Sequence, residues 1–158
     1  MDSNLVFVLA VGIGIVAGLR SLTAPAVVAW GACLGRLDLA GSALGFMGSK
    51  VTVVIFTVLA LAEFVGDLLA RSPSRTAPGP LVARILMGGL CGACLCLSAG
   101  RAPIGGAVLG GIGGVIGAFA GYQARTRLVR GLGVKDPVIA IPEDLVAIGL
   151  AWLIVCVA

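Results

Sequence analysis

Residues 105–125 read GGAVLGGIGGVIGAFAGYQAR, and no other stretch limits the fold so tightly. The run is apolar over the depth of a bilayer, since a 20-residue helix measures roughly 30 Å. Glycine stands at 105, 106, 110, 111, 113, 114, 117 and 121. In water each would cost a helix roughly 1 kcal/mol relative to alanine. In lipid the backbone has no partner but itself, so the helix persists and its glycines become smooth contact surface. Gly106, Gly110 and Gly114 form one i,i+4 row, and Gly113, Gly117 and Gly121 form another. Two such rows predict a central, glycine-rich helix packed on more than one side. Arg125, Arg127 and Arg130 close the run.

Composition extends this reading to the whole chain. Of 158 residues 59% are hydrophobic and 11% charged, where soluble domains carry about 25% charged residues. Mean hydropathy is +1.16. The expected fold is all-α: a single integral membrane domain over residues 1–158, a polytopic transmembrane helix bundle of about five or six spans. The net charge of +4 is a topology signal, not a nucleic-acid footprint. The chain has no histidine, which excludes haem–histidine ligation and histidine-dependent triads. Cys91, Cys94 and Cys96 sit inside an apolar run and read as small packing residues. No catalytic residue, metal set or cofactor motif is predicted.

The apolar runs follow in order. Residues 5–19 form a first span that ends at Arg20. Arg20-Ser-Leu-Thr-Ala-Pro25 then opens a helix of about a dozen residues, with Thr23 as cap and Pro25 in the first turn. It is a short span or a re-entrant segment. Further spans are expected at 51–69, 81–98, 105–125 and 145–158, separated by a mixed loop at 36–49, a proline-rich loop at 70–80, a turn at 100–103 and a basic loop at 126–142 broken at Asp136-Pro137. If every run crosses once, one side holds Arg20, Arg71, Arg75, Arg84, Arg125, Arg127, Arg130 and Lys135, and the other Arg36, Lys50 and Arg101. Eight against three puts the first side in the cytoplasm.

Charges near the ends of these runs carry the most chemistry. Glu63 and Asp67 share one helix face, and Arg20, Arg84, Arg125 and the Glu143-Asp144 pair fall at the same ends of their spans. An ionisable group inside a span costs roughly 2.5–3.5 kcal/mol on insertion scales, so it faces the protein interior and a partner. Two readings fit. In the first, Glu63 and Asp67 pair with Arg84 and Arg20 while Glu143 and Asp144 pair with Arg125, stapling the bundle. In the second these residues line a pocket for an anionic head group, a small anion, a proton or a cation, with Ser21, Thr23 and the first amides of the short helix as donors.

The runs GLRSLTAPAVVAW (18–30), FMGS (46–49), AEFVGD (62–67), SRTAP (74–78), LVAR (81–84), GAFAGYQARTRLV (117–129) and EDLVAIG (143–149) together resemble the bacterial membrane proteins grouped as domain of unknown function 4126. The likeness runs through the chain in order and implies a multi-pass protein of the bacterial inner membrane. It brings no activity with it. Leu68-Leu69-Ala70 departs from the lysine and proline that often follow the acid matching Asp67 in that family.

The expected function is a small transporter or channel, or a lipid-handling protein, using the charged cluster, with membrane lipids as partners. The alternatives are a structural module that homo-oligomerises through its glycine rows, and a membrane enzyme acting on a lipid phosphate. The last lacks a nucleophile with a base beside it.

Overall fold

The computed structural model describes residues 3–69, 77–132 and 136–158. They form six helices and no strand: α1 (Ser3–Leu19), α2 (Thr23–Cys33), α3 (Lys50–Leu69), α4 (Pro78–Ser98), α5 (Pro103–Leu132) and α6 (Asp136–Val157), with a 3₁₀ turn at Gly45–Gly48. Two stretches, Pro78–Ser98 and Pro103–Leu128, are long and apolar enough to cross a membrane.

Several boundaries differ from the sequence expectation, each for a local reason. The basic residues after 125 do not end α5, which runs on to Leu132. Arginine and leucine are good helix formers, so charge there ends only the apolar part of the helix. Asp136-Pro137 is not a break but the start of α6, since proline suits the first helical positions. Glu143 and Asp144 therefore lie in the second and third turns of α6, after Pro142, and do not cap it. Leu22, not Thr23, is the cap residue of α2, and no side chain of its own segment caps it.

Successive helices alternate in direction. Phe7 packs against Gly105, so α1 and α5 run side by side in the same direction, while α4 opposes both. The three helices meet backbone to backbone. A Cβ on Gly88 would stand 2.5 Å from the Gly110 carbonyl and 3.3 Å from the Gly14 Cα, so α1, α4 and α5 cross at these three glycines. The row Gly106, Gly110, Gly114 faces Gly92, Gly88 and Arg84 of α4. Gly113 and Gly117 face Val11 and Ile15 of α1, and Gly121, one turn on, is buried. Both rows are thus covered within one chain, which leaves neither as a groove for a second copy.

α5 is nevertheless not the central helix. It packs mainly on α1 and α4 and touches α6 near its end, while Ile104, Val108, Ile112, Ile116 and Phe119 remain exposed. The enclosed helix is α2, in contact with α1, α3, α4 and α6. Seven of its eleven residues, from Ala24 to Ala29 and at Gly31, are buried. Around it lies a side-chain core that includes Ile13, Val16, Val28, Leu37, Met47, Leu95 and Val155. The far end of α2 reaches Val155, in the last turn of α6, so the segment runs from one end of the bundle toward the other and does not turn back. From there the 34–49 connection folds over it, burying Leu37, Leu39 and Met47, and the Asp38 amide donates to Ser98 Oγ at 3.0 Å.

Candidate functional site

The charged residues singled out above gather at one end of the bundle, where α1 ends and α2 begins. Arg20, just past α1, is 2% exposed, and Asp144 of α6 is 8% exposed. The guanidinium donates through Nε to Asp144 Oδ1 and through Nη2 to Oδ2 at 2.7 Å. Two parallel bonds of this kind are the strongest contact the two groups can make. Phe64 of α3 lies beneath the same guanidinium, with its ring centroid 5.8 Å from Cζ.

Glu63 of α3 takes a different partner from the one its charge predicts. Its carboxylate accepts the Ser21 amide at 3.1 Å, the Ser21 hydroxyl at 2.6 Å and the Leu22 amide at 3.0 Å. The Leu22 amide belongs to the cap residue of α2, one of the donors a helix start leaves without an internal partner, and Ser21 stands just before it. The fixed negative charge also meets the positive end of the helix dipole. An anionic group thus already stands at the start of α2, where donors for a ligand were expected, and the protein itself supplies it. A cap of this sort contributes about 1 kcal/mol. Glu63→Ala is accordingly expected to speed amide exchange at Ser21 and Leu22 while leaving the α1–α4–α5 crossing protected, which hydrogen-exchange mass spectrometry would read.

Arg84 of α4 is 7% exposed and serves the opposite pole. Its Nε donates to the Gly18 carbonyl at 2.9 Å, and Nη1 to the Pro80 carbonyl at 3.2 Å. The Gly18 carbonyl belongs to the last turn of α1, where a cation is favoured. Arg125 lies 3.7 Å from Glu143, both largely buried. Thr23 opens α2 and makes no cap. Asp67 falls on α3, and its side chain lies outside the described residues, as do Arg71, Arg75 and Lys135.

The expected pairing is therefore only partly seen. Glu143 meets Arg125, whereas Asp144 meets Arg20, and Glu63 meets backbone amides. Sequence reasoning missed the Gly18 carbonyl, the Leu22 amide and Phe64. Backbone groups carry no residue signature, and Phe64 was one apolar residue among many. The sequence signal that existed was Glu63 itself, an acid inside an apolar run with no base nearby in sequence. Among the described residues no group of acids, cysteines and histidines is arranged to hold a metal, and Cys91, Cys94 and Cys96 are buried free thiols in α4.

No family model, curated protein or solved structure matches this chain. The reading of the site rests on its geometry.

Proposed function

We propose that the chain is a six-pass membrane protein that moves a small solute or ion, with the α1–α2 break as its working part. Exposed apolar side chains support the membrane reading: Val8 on α1, Val54 and Leu61 on α3, Leu86 on α4, Ile104 on α5 and Leu153 on α6 all stand out from the bundle. A water-soluble surface seldom exposes apolar patches on so many helices. The eight-to-three charge bias puts the end carrying Arg20 in the cytoplasm.

The observation that carries the functional reading is the start of α2. A half-length helix begins inside the bundle, in contact with four others, and the two amides that lead into it, those of Ser21 and Leu22, are held by Glu63 from a neighbouring helix. Broken helices of this kind line the solute path in many transporters because their ends offer fixed partial charge without a net ion. Both carboxylate oxygens of Glu63 are engaged at this point, so displacing the side chain would release the start of α2.

The test is uptake by proteoliposomes, with Glu63→Gln and Glu63→Ala beside the wild type. Both variants are expected to insert to normal abundance and to lose at least about tenfold in flux, since the cap contributes about 1 kcal/mol to one helix and not to the whole fold. Variants that simply fail to accumulate would instead support a second reading, a structural module. That reading draws on the internal partners found for Arg20, Glu63, Arg84 and Arg125.

A further inference from the structure

The outer face of α5 has an order that neither the glycine rows nor the charged cluster uses. Ile104, Val108, Ile112 and Ile116 follow one another at intervals of four and are 75%, 56%, 49% and 47% exposed. Tyr122 comes next, 44% exposed, and then Arg127 and Arg130, both exposed. At 3.6 residues per turn, all of these fall within about 140° of arc, so they form one stripe.

The stripe also has the length of a bilayer's hydrocarbon core. Ile104 to Tyr122 spans about 27 Å along the axis, close to the hydrocarbon thickness of roughly 30 Å. Arg127 and Arg130 lie about 35 and 39 Å from Ile104, past the apolar length. Tyrosine at such a boundary sits with its ring in lipid and its hydroxyl in the head-group layer. Among the described residues neither arginine forms an ion pair, whereas Arg125, on the inner side of the same helix, faces Glu143. The helix thus keeps one arginine for the protein and turns two outward.

We propose that this end of α5 is a binding surface for anionic phospholipid, with the acyl chains along the near half of the stripe, past Tyr122 toward Ile116 and Ile112, and the phosphate held by Arg127 and Arg130. The inference rests on the membrane reading above but not on transport. Basic side chains at this depth each contribute about fivefold in affinity for anionic head groups (about 1 kcal/mol), so the pair is worth about 30-fold.

The experiment places the purified chain in bilayer discs of phosphatidylcholine with a minority of phosphatidylglycerol. Native mass spectrometry then weighs the lipid that remains bound after mild release. The wild type is expected to retain phosphatidylglycerol in preference to phosphatidylcholine, less so at high salt. Arg127→Gln/Arg130→Gln is expected to lose most of that preference with the fold intact by circular dichroism. Equal retention of the two lipids by the wild type, or an unchanged preference in the double variant, would overturn the proposal. Carbonate extraction of cell membranes separates the two levels. A chain that stays in the membrane yet shows no lipid preference sinks the surface alone, while one released by carbonate sinks the membrane reading with it.

Discussion

Asp144→Ala is expected to cost about 3–5 kcal/mol, the largest loss of any single substitution at the charged end. The change leaves the Arg20 guanidinium buried at 2% exposure without the carboxylate that both Nε and Nη2 address. A buried charge that loses its bidentate carboxylate keeps its desolvation cost and loses much of the Coulombic return. That loss is a large share of a typical total stability of about 5–15 kcal/mol. Replacing both members tells the cost of the orphan from the worth of the pair. Arg20→Met/Asp144→Leu fills a similar volume with apolar atoms and is expected to recover most of the stability. Thermal unfolding in mild detergent would measure all three proteins. Equal losses in the single and double variants would mean that the pair is not the source of the effect, and a loss under about 1 kcal/mol in the single variant would mean that water reaches it.

Gly110→Leu is expected to break the bundle at its tightest crossing. A Cβ at this position would run into the Gly88 carbonyl and stand 3.2 Å from the Gly92 Cα. Both obstacles are backbone, so no rotamer change relieves them, and α4 and α5 must separate. Overpacking of this kind costs about 1–3 kcal/mol where a core can adjust, and more where it cannot. Even Gly110→Ala is expected to destabilise by an amount in that range. Gly66→Ala and Gly149→Ala supply the contrast, because nothing lies within 4 Å of the added carbon at either site. There the gain in helix propensity stands alone, so each is expected to be neutral or stabilising by up to about 1 kcal/mol. An alanine scan of the glycines that found position 110 as tolerant as 66 would contradict the crossing at Gly14, Gly88 and Gly110.

The glycine rows were legible in the sequence because close approach is written as the absence of side chains, at a spacing that one helix defines by itself. What the rows faced was not legible. Gly88 and Gly92 of α4 and Val11 and Ile15 of α1 are ordinary members of apolar runs until the fold brings them near. The two rows also suggested a central helix, yet the remaining face of α5 is exposed, and the enclosed position went to α2. The charged residues were visible as a group, since each lay where an apolar run ended. Their partners were not. Arg20 and Asp144 are 124 residues apart, and no local pattern distinguishes Asp144 from Glu143 as the mate of Arg20. The rotation of about 100° between neighbouring residues on α6 decides it. Register was misjudged because Pro142 looked like a boundary, whereas α6 continues through it. Within a packed membrane bundle the backbone group freed by a proline can be satisfied by neighbours. The Glu63 cap was hidden for a related reason. Capping rules read the residues beside a helix end, and here the cap comes from 41 and 42 residues away.

The pairing of Arg20 with Asp144 also sets a schedule for biogenesis. As the chain leaves the ribosome, α1 and the eleven residues of α2 emerge first, with Arg20 between them and its partner Asp144 not yet made. Eleven helical residues extend only about 16 Å, too short to be held across lipid alone. Glu63 arrives with α3 and can secure the start of α2, but Asp144 is not translated until α6. Until then Arg20 lacks the carboxylate that it meets in the folded bundle. The ion pair that ties the end of α1 to α6 therefore forms only once α6 is present, and a fragment that stops before α6 lacks it.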